Sequence, residues 1–369
     1  RSNFSPDYTQ QPYIGGLIQQ SESRTVVGGG PLYTQRVLPW LSILGGMDLR
    51  RDAPRGLDLR GADPQDAFHL LTSNDLTLSF VEPYAAVDAS LGEYLRFDAG
   101  VRREEVWMDN VDRLNAANSF DRLAGLTLPK ATMTILPSPG TFLPTLAFSY
   151  GEAFHTEDPR IGNGTGMATL LSPSRAYQMV MDKTVAKTEL RLTLKHVTNS
   201  QELAKIDPDT GLQEDVGPSL NRSLTLSAQH TFSQGSLFVS YSQADARERL
   251  SGAPVPEAPR FIWDTVVTAN RLPFQLKARA EFEYVRAKPL GDGFVGVAVP
   301  EFRGAVLRPF HDGRVILSTE FLIADGYTGQ TTEVFAFPTD PTFPKPVERI
   351  VGVPLKSYIT FSFTYHFAK

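Results

Sequence analysis

The feature that most constrains this chain is an alternation of apolar and polar side chains with a period of two residues. From Phe274 to Tyr284 every second residue is apolar, and four of the five positions between them are charged. Glu189 to Val197 repeats the pattern, with Leu190, Leu192 and Leu194 separated by polar residues. Because successive side chains of a β-strand point to opposite faces, this spacing predicts strands with one apolar and one polar face.

Runs of this kind predict about fourteen strands, while frequent Gly and Pro interrupt the chain and make long helices unfavourable. No stretch approaches the roughly 18 apolar residues that a membrane-spanning helix needs. The predicted strands begin near Val37, Asp75, Tyr94, Lys130, Pro144, Ala176, Thr188, Arg222, Ser236, Arg260, Phe274, Pro300, Arg314 and Ser357.

The predicted connections between these strands alternate between short and long. The short ones are Ala89 to Glu93, Pro137 to Thr141, Thr184 to Lys187, Ser233 to Gly235, Asn270 to Pro273 and His311 to Gly313. The long ones are Asp52 to Asn74, Glu105 to Pro129, His155 to Arg175, Asn199 to Asn221, Asp245 to Pro259, Ala287 to Val299 and Gly326 to Lys356. Such alternation is typical of an up-and-down β-barrel in an outer membrane, with short periplasmic turns and long outer loops.

A soluble all-β protein is the alternative interpretation, since its half-buried antiparallel strands also alternate polar and apolar residues. The regular order of loop lengths argues against it, because Greek-key connections would mix long and short. A charged second face fits a water-filled interior. We therefore expect an all-β, transmembrane, antiparallel up-and-down β-barrel.

Several chemical functions are disfavoured by what the sequence contains. The absence of cysteine excludes a disulfide scaffold, a thiolate metal site and a cysteine nucleophile. With 36 basic and 41 acidic residues and no polybasic tract, a nucleic-acid partner is not expected. The sequence has no G-x-S-x-G elbow. We predict no enzyme activity, no catalytic residues, no metal site and no cofactor; the six histidines lack zinc-site spacing and are His69, His155, His196, His230, His311 and His366.

Two loop motifs have plain interpretations. Gly162, Gly164 and Gly166 favour a flexible outer loop over a phosphate-binding loop, because no strand-to-helix context follows. Asp207 to Gly211 resembles the start of a calcium loop, but Pro208 favours a turn. The substrate-binding residues are not identified by the sequence. Candidate ligand contacts, which are also candidates for an interfacial aromatic girdle, are Phe154, His155, Tyr327 and Phe335.

The last predicted strand is the most specific feature. Ile359, Phe361, Phe363, Tyr365 and Phe367 occupy one face, and the run has the length of a membrane-spanning β-strand. This strand resembles the carboxy-terminal recognition strand of outer-membrane proteins, which implies the barrel-assembly machinery as a partner. It departs from that pattern because two residues follow the last aromatic.

From about Val37 onward, the order of segments resembles the TonB-dependent receptor family. The matching segments are Val37 to Arg50 with Gly46 and Asp48; Tyr84 to Asp88; Leu95, Phe97, Gly100, Val101 and Arg102; Lys130 to Pro137; Ser149, Tyr150, Gly151 and Phe154; Leu171, Pro173 and Tyr177; Asp207 to Gly211; Val255 to Pro259; and Leu322 to Tyr327, where Glu320 and Phe321 stand in place of the family's usual Asn.

The resemblance implies that residues 37–369 form the last part of a 22-stranded outer-membrane barrel. Residues 1–36 would be the end of a preceding strand and its surrounding loop. We expect the plug domain and the first strands to lie outside this chain, which starts without a methionine or signal segment.

The resemblance also implies a function. It is that of a receptor in a Gram-negative outer membrane that actively imports a scarce nutrient, such as a ferric siderophore in iron uptake. The implied partners are the lipid bilayer, a small-molecule nutrient, and the TonB complex acting through the plug. The alternatives are a passive pore or lipid transporter of about fourteen strands, a soluble all-β binding protein or enzyme, and a barrel used for surface adhesion or protein export.

Overall fold

The computed structural model describes residues 2–4, 18–62, 68–138, 140–156, 171–200, 203–206, 213–215, 217–256, 258–291, 294–310, 315–324, 327–335, 347–354 and 357–365. Short 3-10 turns occur at Ala116–Asn118 and Pro273–Gln275. Among the described residues no helix is long and apolar enough to cross a membrane. The strands are β1 Ser2–Phe4, β2 Ile18–Gly29, β3 Leu32–Leu38, β4 Leu41–Ala62, β5 Phe68–Leu91, β6 Leu95–Asp112, β7 Phe120–Ile135, β8 Thr145–Thr156, β9 Leu171–Val185, β10 Thr188–Asn199, β11 Leu203–Ile206, β12 Gln213–Asp215, β13 Ser219–Thr231, β14 Gly235–Glu248, β15 Phe261–Ala269, β16 Lys277–Val285, β17 Pro289–Gly291, β18 Phe294–Val295, β19 Val299–Phe310, β20 Val315–Ala324, β21 Tyr327–Phe335, β22 Val347–Pro354 and β23 Tyr358–Tyr365.

The predicted all-β antiparallel fold is confirmed. Each of the fourteen predicted strands is present, as β4–β10, β13–β16, β19, β20 and β23. The chain divides into two compact units: unit 1 comprises Arg1–Met133, Ser149–Arg175 and Lys205–Glu214, and unit 2 comprises Thr134–Phe148, Ala176–Ala204 and Asp215–Lys369.

Unit 1 is built on a ladder of long strands. β4 pairs with β2 along one part of its edge and with β3 along another, and its other edge pairs with β5. β5 in turn pairs with β6 from Asn74↔Asp112 to Leu91↔Leu95. These registers fix which side chains share a face, because every second residue of each strand points the same way.

Unit 2 contains a second antiparallel ladder in chain order. β10, β13, β14, β15, β16, β19, β20 and β23 each pair with the next. Tight turns join several of them, as predicted. Ala186, for example, adopts a positive φ of 53° in the two-residue turn between β9 and β10.

Two predicted strand starts fall at turns. Val37 lies near the end of β3, and a turn at Pro39 and Trp40 separates it from the start of β4 at Leu41. Phe274 was expected to begin a strand, but it lies in a turn with a φ of 61°, and β16 begins only at Lys277. Pro273 explains the difference, since it has no N–H for strand pairing and favours turns. The apolar series therefore starts in the structure at Ala278 rather than at Phe274.

The predicted long loop from Asp52 to Asn74 is also wrong, because β4 continues to Ala62 and β5 already begins at Phe68. Pro54 and Gly56 had indicated a loop. In the structure they form an irregularity in the pairing of β4 with β5, between Asp52 and Leu57, with Gly56 at a positive φ of 58°. A bulge of this kind accommodates both residues without ending the strand.

The second overturned loop is Glu105 to Pro129, since β6 continues to Asp112 and β7 begins at Phe120. At the start of β6 the apolar residues are Leu95, Phe97 and Val101, on odd positions. Further along, Val106 and Met108 are fully buried on even positions. Trp107 and Val111 remain exposed on odd positions, so apolar residues occupy both faces of this part of β6, and its register with β5 is continuous. This loss of alternation accounts for the wrong prediction of a loop.

Other long connections remain long and carry small hairpins of their own. β11 with β12, β17 with β18, and β21 with β22 each form a two-stranded sheet. The predictions for Gly162 to Gly166, Asp207 to Gly211 and His311 to Gly313 fall outside the described residues, as does Phe367.

Candidate functional site

A charged cluster on one face of β4–β6 is the first part of the site. Arg102 donates a hydrogen bond to Asp48, while its Nη1 lies 3.4 Å from Glu82 Oε2 and its Nε lies 3.7 Å from Glu104 Oε1. The guanidinium also lies 5.2 Å from the centre of the Tyr84 ring. One cation thus serves three carboxylates.

A pocket of about 480 Å³ lies beside this cluster, within unit 1. Its lining combines both signs of charge with apolar groups. The carboxylate of Glu152, itself bonded by Arg175 Nε at 2.9 Å, contributes to the wall, as does the Lys130 side chain. Such a mixed lining suits a polar ligand or a polar protein segment better than a purely apolar one. Other lining residues are Tyr84, Arg102, Glu104, Leu128 and Phe154.

An apolar cluster continues the same face toward the end of β6. Leu76, Phe80, Val106, Met108 and Leu171 are buried against one another. The side chain of Phe154, a candidate ligand contact from the sequence, packs against this cluster and also lines the pocket. Phe154 therefore joins the apolar cluster to the charged one.

Asn110 is the exception in this apolar region. It is only 1% exposed, and neither its Oδ1 nor its Nδ2 has a hydrogen-bond partner among the described residues. An unpaired buried amide costs about 1–3 kcal/mol. This position is therefore able to accept one further polar partner.

The connection between β6 and β7 is fixed by two aspartates that lie far from the short turns. Burial alone would raise the pKa of Asp75, but the amide of Gly56 and the guanidinium of Arg113 hold it below its usual value. Asp112 likewise has a lowered pKa, because the amides of Leu114 and Asn115 outweigh its burial. This end of the sheet is therefore held by charge-assisted hydrogen bonds.

Unit 2 carries a comparable charged face. Its registers place Asp264 beside Glu283, and Glu283 beside Glu301, in one row across β15, β16 and β19. The next row contains Arg303, whose guanidinium is bonded to Glu301. These include the charged positions of β16 that the sequence assigned to the polar face, and the structure places them together.

The opposite face of both units is apolar and exposed. In unit 1 it includes Leu49, Phe97 and Val101, and in unit 2 it includes Leu226 and Trp263. On β23, Phe361 is 79% exposed. A soluble sandwich would pack this face against a second sheet. No such packing covers these residues in the described part of the chain.

Other predicted site residues have simpler outcomes. Among the described residues no group of His, Asp or Glu is arranged to hold a metal ion. His155 is half-buried in β8 and makes polar or ring contacts. Tyr327 and Phe335 begin and end β21, and their side chains lie outside the described part of the structure. The Asp48–Arg102–Glu104 cluster was not predicted as a site.

The chain is similar in structure to solved transporters and an uptake receptor. It matches the unliganded ferric citrate transporter FecA with a TM-score of 0.71 at 12% identity, covering 94% of this chain and 55% of that one. It matches the copper transporter OprC with a TM-score of 0.66 at 12% identity, covering 95% and 57%. The match to the ferric yersiniabactin uptake receptor FyuA from Yersinia pestis has a TM-score of 0.67 at 11% identity, covering 95% and 55%.

The chain thus spans little more than half the length of these solved structures. No protein-family model matches its sequence, and no curated protein is similar to it in sequence. At such low identity the likeness concerns the fold, for which the sequence had predicted a resemblance. The chain has the β-barrel fold of TonB-dependent receptors.

Proposed function

We propose that this chain is the carboxy-terminal part of an outer-membrane active transporter that imports a scarce nutrient, such as a ferric siderophore. The observation that carries this proposal is that the two faces of the strands differ in chemistry. One face exposes large apolar side chains along most strands, and the other carries ion pairs and unneutralised carboxylates.

The apolar face supports a location in lipid. Soluble proteins rarely expose contiguous apolar patches larger than a few hundred Å², whereas outer-membrane strands direct every second side chain to hydrocarbon. The exposed series Ile359, Phe361 and Phe363 on β23 has this spacing. We therefore assign this face to the lipid bilayer of a Gram-negative outer membrane, with residues 37–369 as the barrel domain.

The charged face supports a wet or plugged interior. Arg102 lies among Asp48, Glu82 and Glu104, so its ion pairs can exchange partners when a polar group moves past. In this proposal a plug outside the present chain contacts this face and couples transport to the TonB complex. Neighbours in structure include transporters of ferric citrate, copper and ferric yersiniabactin, which favours a metal chelate as cargo.

Uptake measurements test the proposal. A strain that lacks the gene should lose growth on one ferric chelate as the sole iron source, and the full-length gene should restore it. Restoration should also require an intact TonB complex. Uptake of the same chelate in TonB-deficient cells would instead identify a passive pore.

A further inference from the structure

A groove lies on the apolar face of unit 2, across β9, β10 and β13–β15. It has a volume of about 420 Å³ and an almost entirely apolar wall. Four strand spacings separate β9 from β15, so the groove extends over about 19 Å. The residues that define it are Met181, Lys183, Leu190, Ala228, Tyr241 and Trp263.

The strand registers explain why a groove forms here. Ala228 lies between Leu190 on β10 and Val239 on β14, so a small side chain interrupts a row of larger ones. The neighbouring row contains Leu192, Leu226, Tyr241 and Trp263, which form one side of the depression. The groove is thus a gap left by one small residue on a bulky surface.

Lys183 marks one end of this groove, whereas Arg191, the other cationic residue of the lining, is bonded to Asp182. Lys183 lies two residues before the end of β9, next to the tight turn at Ala186, and its Nζ donates to the carbonyls of Thr141 and Leu143. An ammonium group has three N–H donors, so one remains available. No carboxylate pairs with Lys183 within the described part of the chain.

We infer that this groove is a binding site for one acyl chain of an anionic glycerophospholipid, with Lys183 contacting its phosphate. The short turn places Lys183 at the periplasmic surface of the membrane, where lysine side chains extend toward headgroups. The apolar wall matches the acyl chain in chemistry, and the unpaired cation matches an anionic headgroup. This inference rests on the proposed location of this face in lipid.

Trp263 provides a direct test, since it lines the groove and the other tryptophans of this sequence are Trp40 and Trp107. The full-length protein, with Trp40, Trp107 and every tryptophan outside this sequence replaced by Phe, is reconstituted in phosphatidylcholine vesicles that contain brominated phosphatidylglycerol or brominated phosphatidylcholine. We expect phosphatidylglycerol to quench Trp263 with an about fivefold higher relative association constant, the factor given by one basic residue at an anionic surface.

Variants separate the contribution of the apolar groove from that of the Lys183 charge. Lys183→Gln should remove the preference for phosphatidylglycerol, and Lys183→Arg should retain it. Ala228→Leu should reduce quenching by both brominated lipids, whereas Ala280→Leu, on the apolar face of β16, should not. Equal quenching by both lipids in the parent protein would overturn the lipid site. An absence of quenching by either lipid would instead overturn the location of this face in the membrane.

Discussion

At the scale of single residues, Arg102 provides the positive charge that offsets the repulsion between the carboxylates of the charged cluster in unit 1. Its guanidinium is within 3.7 Å of Glu104, and Asp48 and Glu82 are also ion-paired with it. Glu104 is only 2% exposed, so water provides little screening of its charge. Without Arg102 three carboxylates would face one another with no cation among them.

Replacing Arg102 by Met should therefore destabilise the folded protein by about 1.5–3 kcal/mol, the range for hydrogen bonds to charged groups. Adding Glu104→Gln should recover part of that loss, because it removes one of the repelling charges. Samples are incubated at increasing temperatures and then run on denaturing gels without further heating. The measurement is the incubation temperature at which the band of the folded form disappears. Arg103→Met is the control, since its ion pair with Glu105 is exposed and contributes little. Equal losses for both arginine variants would contradict the role of the cluster.

Asp75 in β5 and Asp112 at the end of β6 should make the connection between β6 and β7 sensitive to acid. A carboxylate whose pKa is lowered by folding stabilises the folded state fully above its usual pKa, and this stabilisation is lost as the pH falls through the lowered pKa. For Asp75 the loss should begin below about pH 4. The rate of amide hydrogen exchange at Gly56, whose N–H donates a hydrogen bond to Asp75, measures this loss of stability.

Asp75→Asn supplies the comparison, because it removes the titrating group while it retains a side-chain oxygen for the Gly56 amide. The exchange rate at Gly56 should then lose its acid dependence beyond the intrinsic chemistry. Asp109→Asn, on the exposed face of β6, should leave the profile of the parent unchanged. A parent profile that is flat through this acid range would show that Asp75 does not stabilise the connection.

At the scale of elements, period-two alternation was sufficient to locate all fourteen predicted strands, because the two faces of most strands differ sharply in polarity. It failed where that contrast ends. β6 continues past Arg103 with Trp107 and Val111 exposed and Val106 and Met108 buried, so apolar residues occupy both of its faces.

The charged face was only partly predictable from sequence. In β16 the residues Arg279, Glu281 and Glu283 belong to one strand, and their spacing alone assigns them to one face. Arg102 and Asp48 are 54 residues apart and meet only through the registers of β4, β5 and β6. Pairing between distant strands cannot be derived from a local pattern, which is why this cluster was missed.

β10 provides a test of the two faces. Leu192 is near the middle of the strand on the apolar face, opposite Leu226, and Thr193 faces the other way, opposite Thr225. Leu192→Arg should hinder membrane insertion by about 2–4 kcal/mol, whereas Thr193→Arg should be tolerated. The fraction of folded protein recovered from lipid vesicles over a urea series measures both. Equal effects would contradict the assignment of the faces.

The end of β6 that contains Val106 and Met108 should respond to mutation like the hydrophobic core of a soluble protein. Met108 is fully buried, so Met108→Ala should cost about 2–5 kcal/mol through lost packing and a cavity. Trp107→Ala should cost much less, although tryptophan is the larger residue, because Trp107 is exposed on the opposite face. Protease sensitivity of the connection at 113–119 reports the local stability of both variants. A larger effect at Trp107 would contradict the burial on this face.

At the scale of the whole molecule, two environments must be satisfied by one set of strands. No second sheet covers the exposed residues of the apolar face in the described part of the chain, and the proposed contact with hydrocarbon would satisfy them. The charged face needs water or polar protein, because buried charges without partners are strongly unfavourable. We therefore expect the fold to lie between a bilayer and a polar interior.

Cell fractionation tests the proposed membrane location of the intact protein. The full-length protein should sediment with outer membranes, remain there after washing with alkaline carbonate, and be released only by detergent. The reason is that lipid contact along many strands is not disrupted by changes in charge, whereas peripheral binding is. Release by carbonate would contradict an integral location, whatever the cargo.

The buried apolar residues near the end of β6 have a consequence for how this protein tolerates insertions and deletions. In the proposed location, the part of the strand before Arg103 must match the thickness of the bilayer, so adding two residues there would create a mismatch. Beyond Arg103, Val106 and Met108 belong to a buried cluster with Leu171, against which Phe154 packs. We therefore expect changes of length beyond Arg103 to alter this cluster and to leave the proposed transmembrane part unchanged.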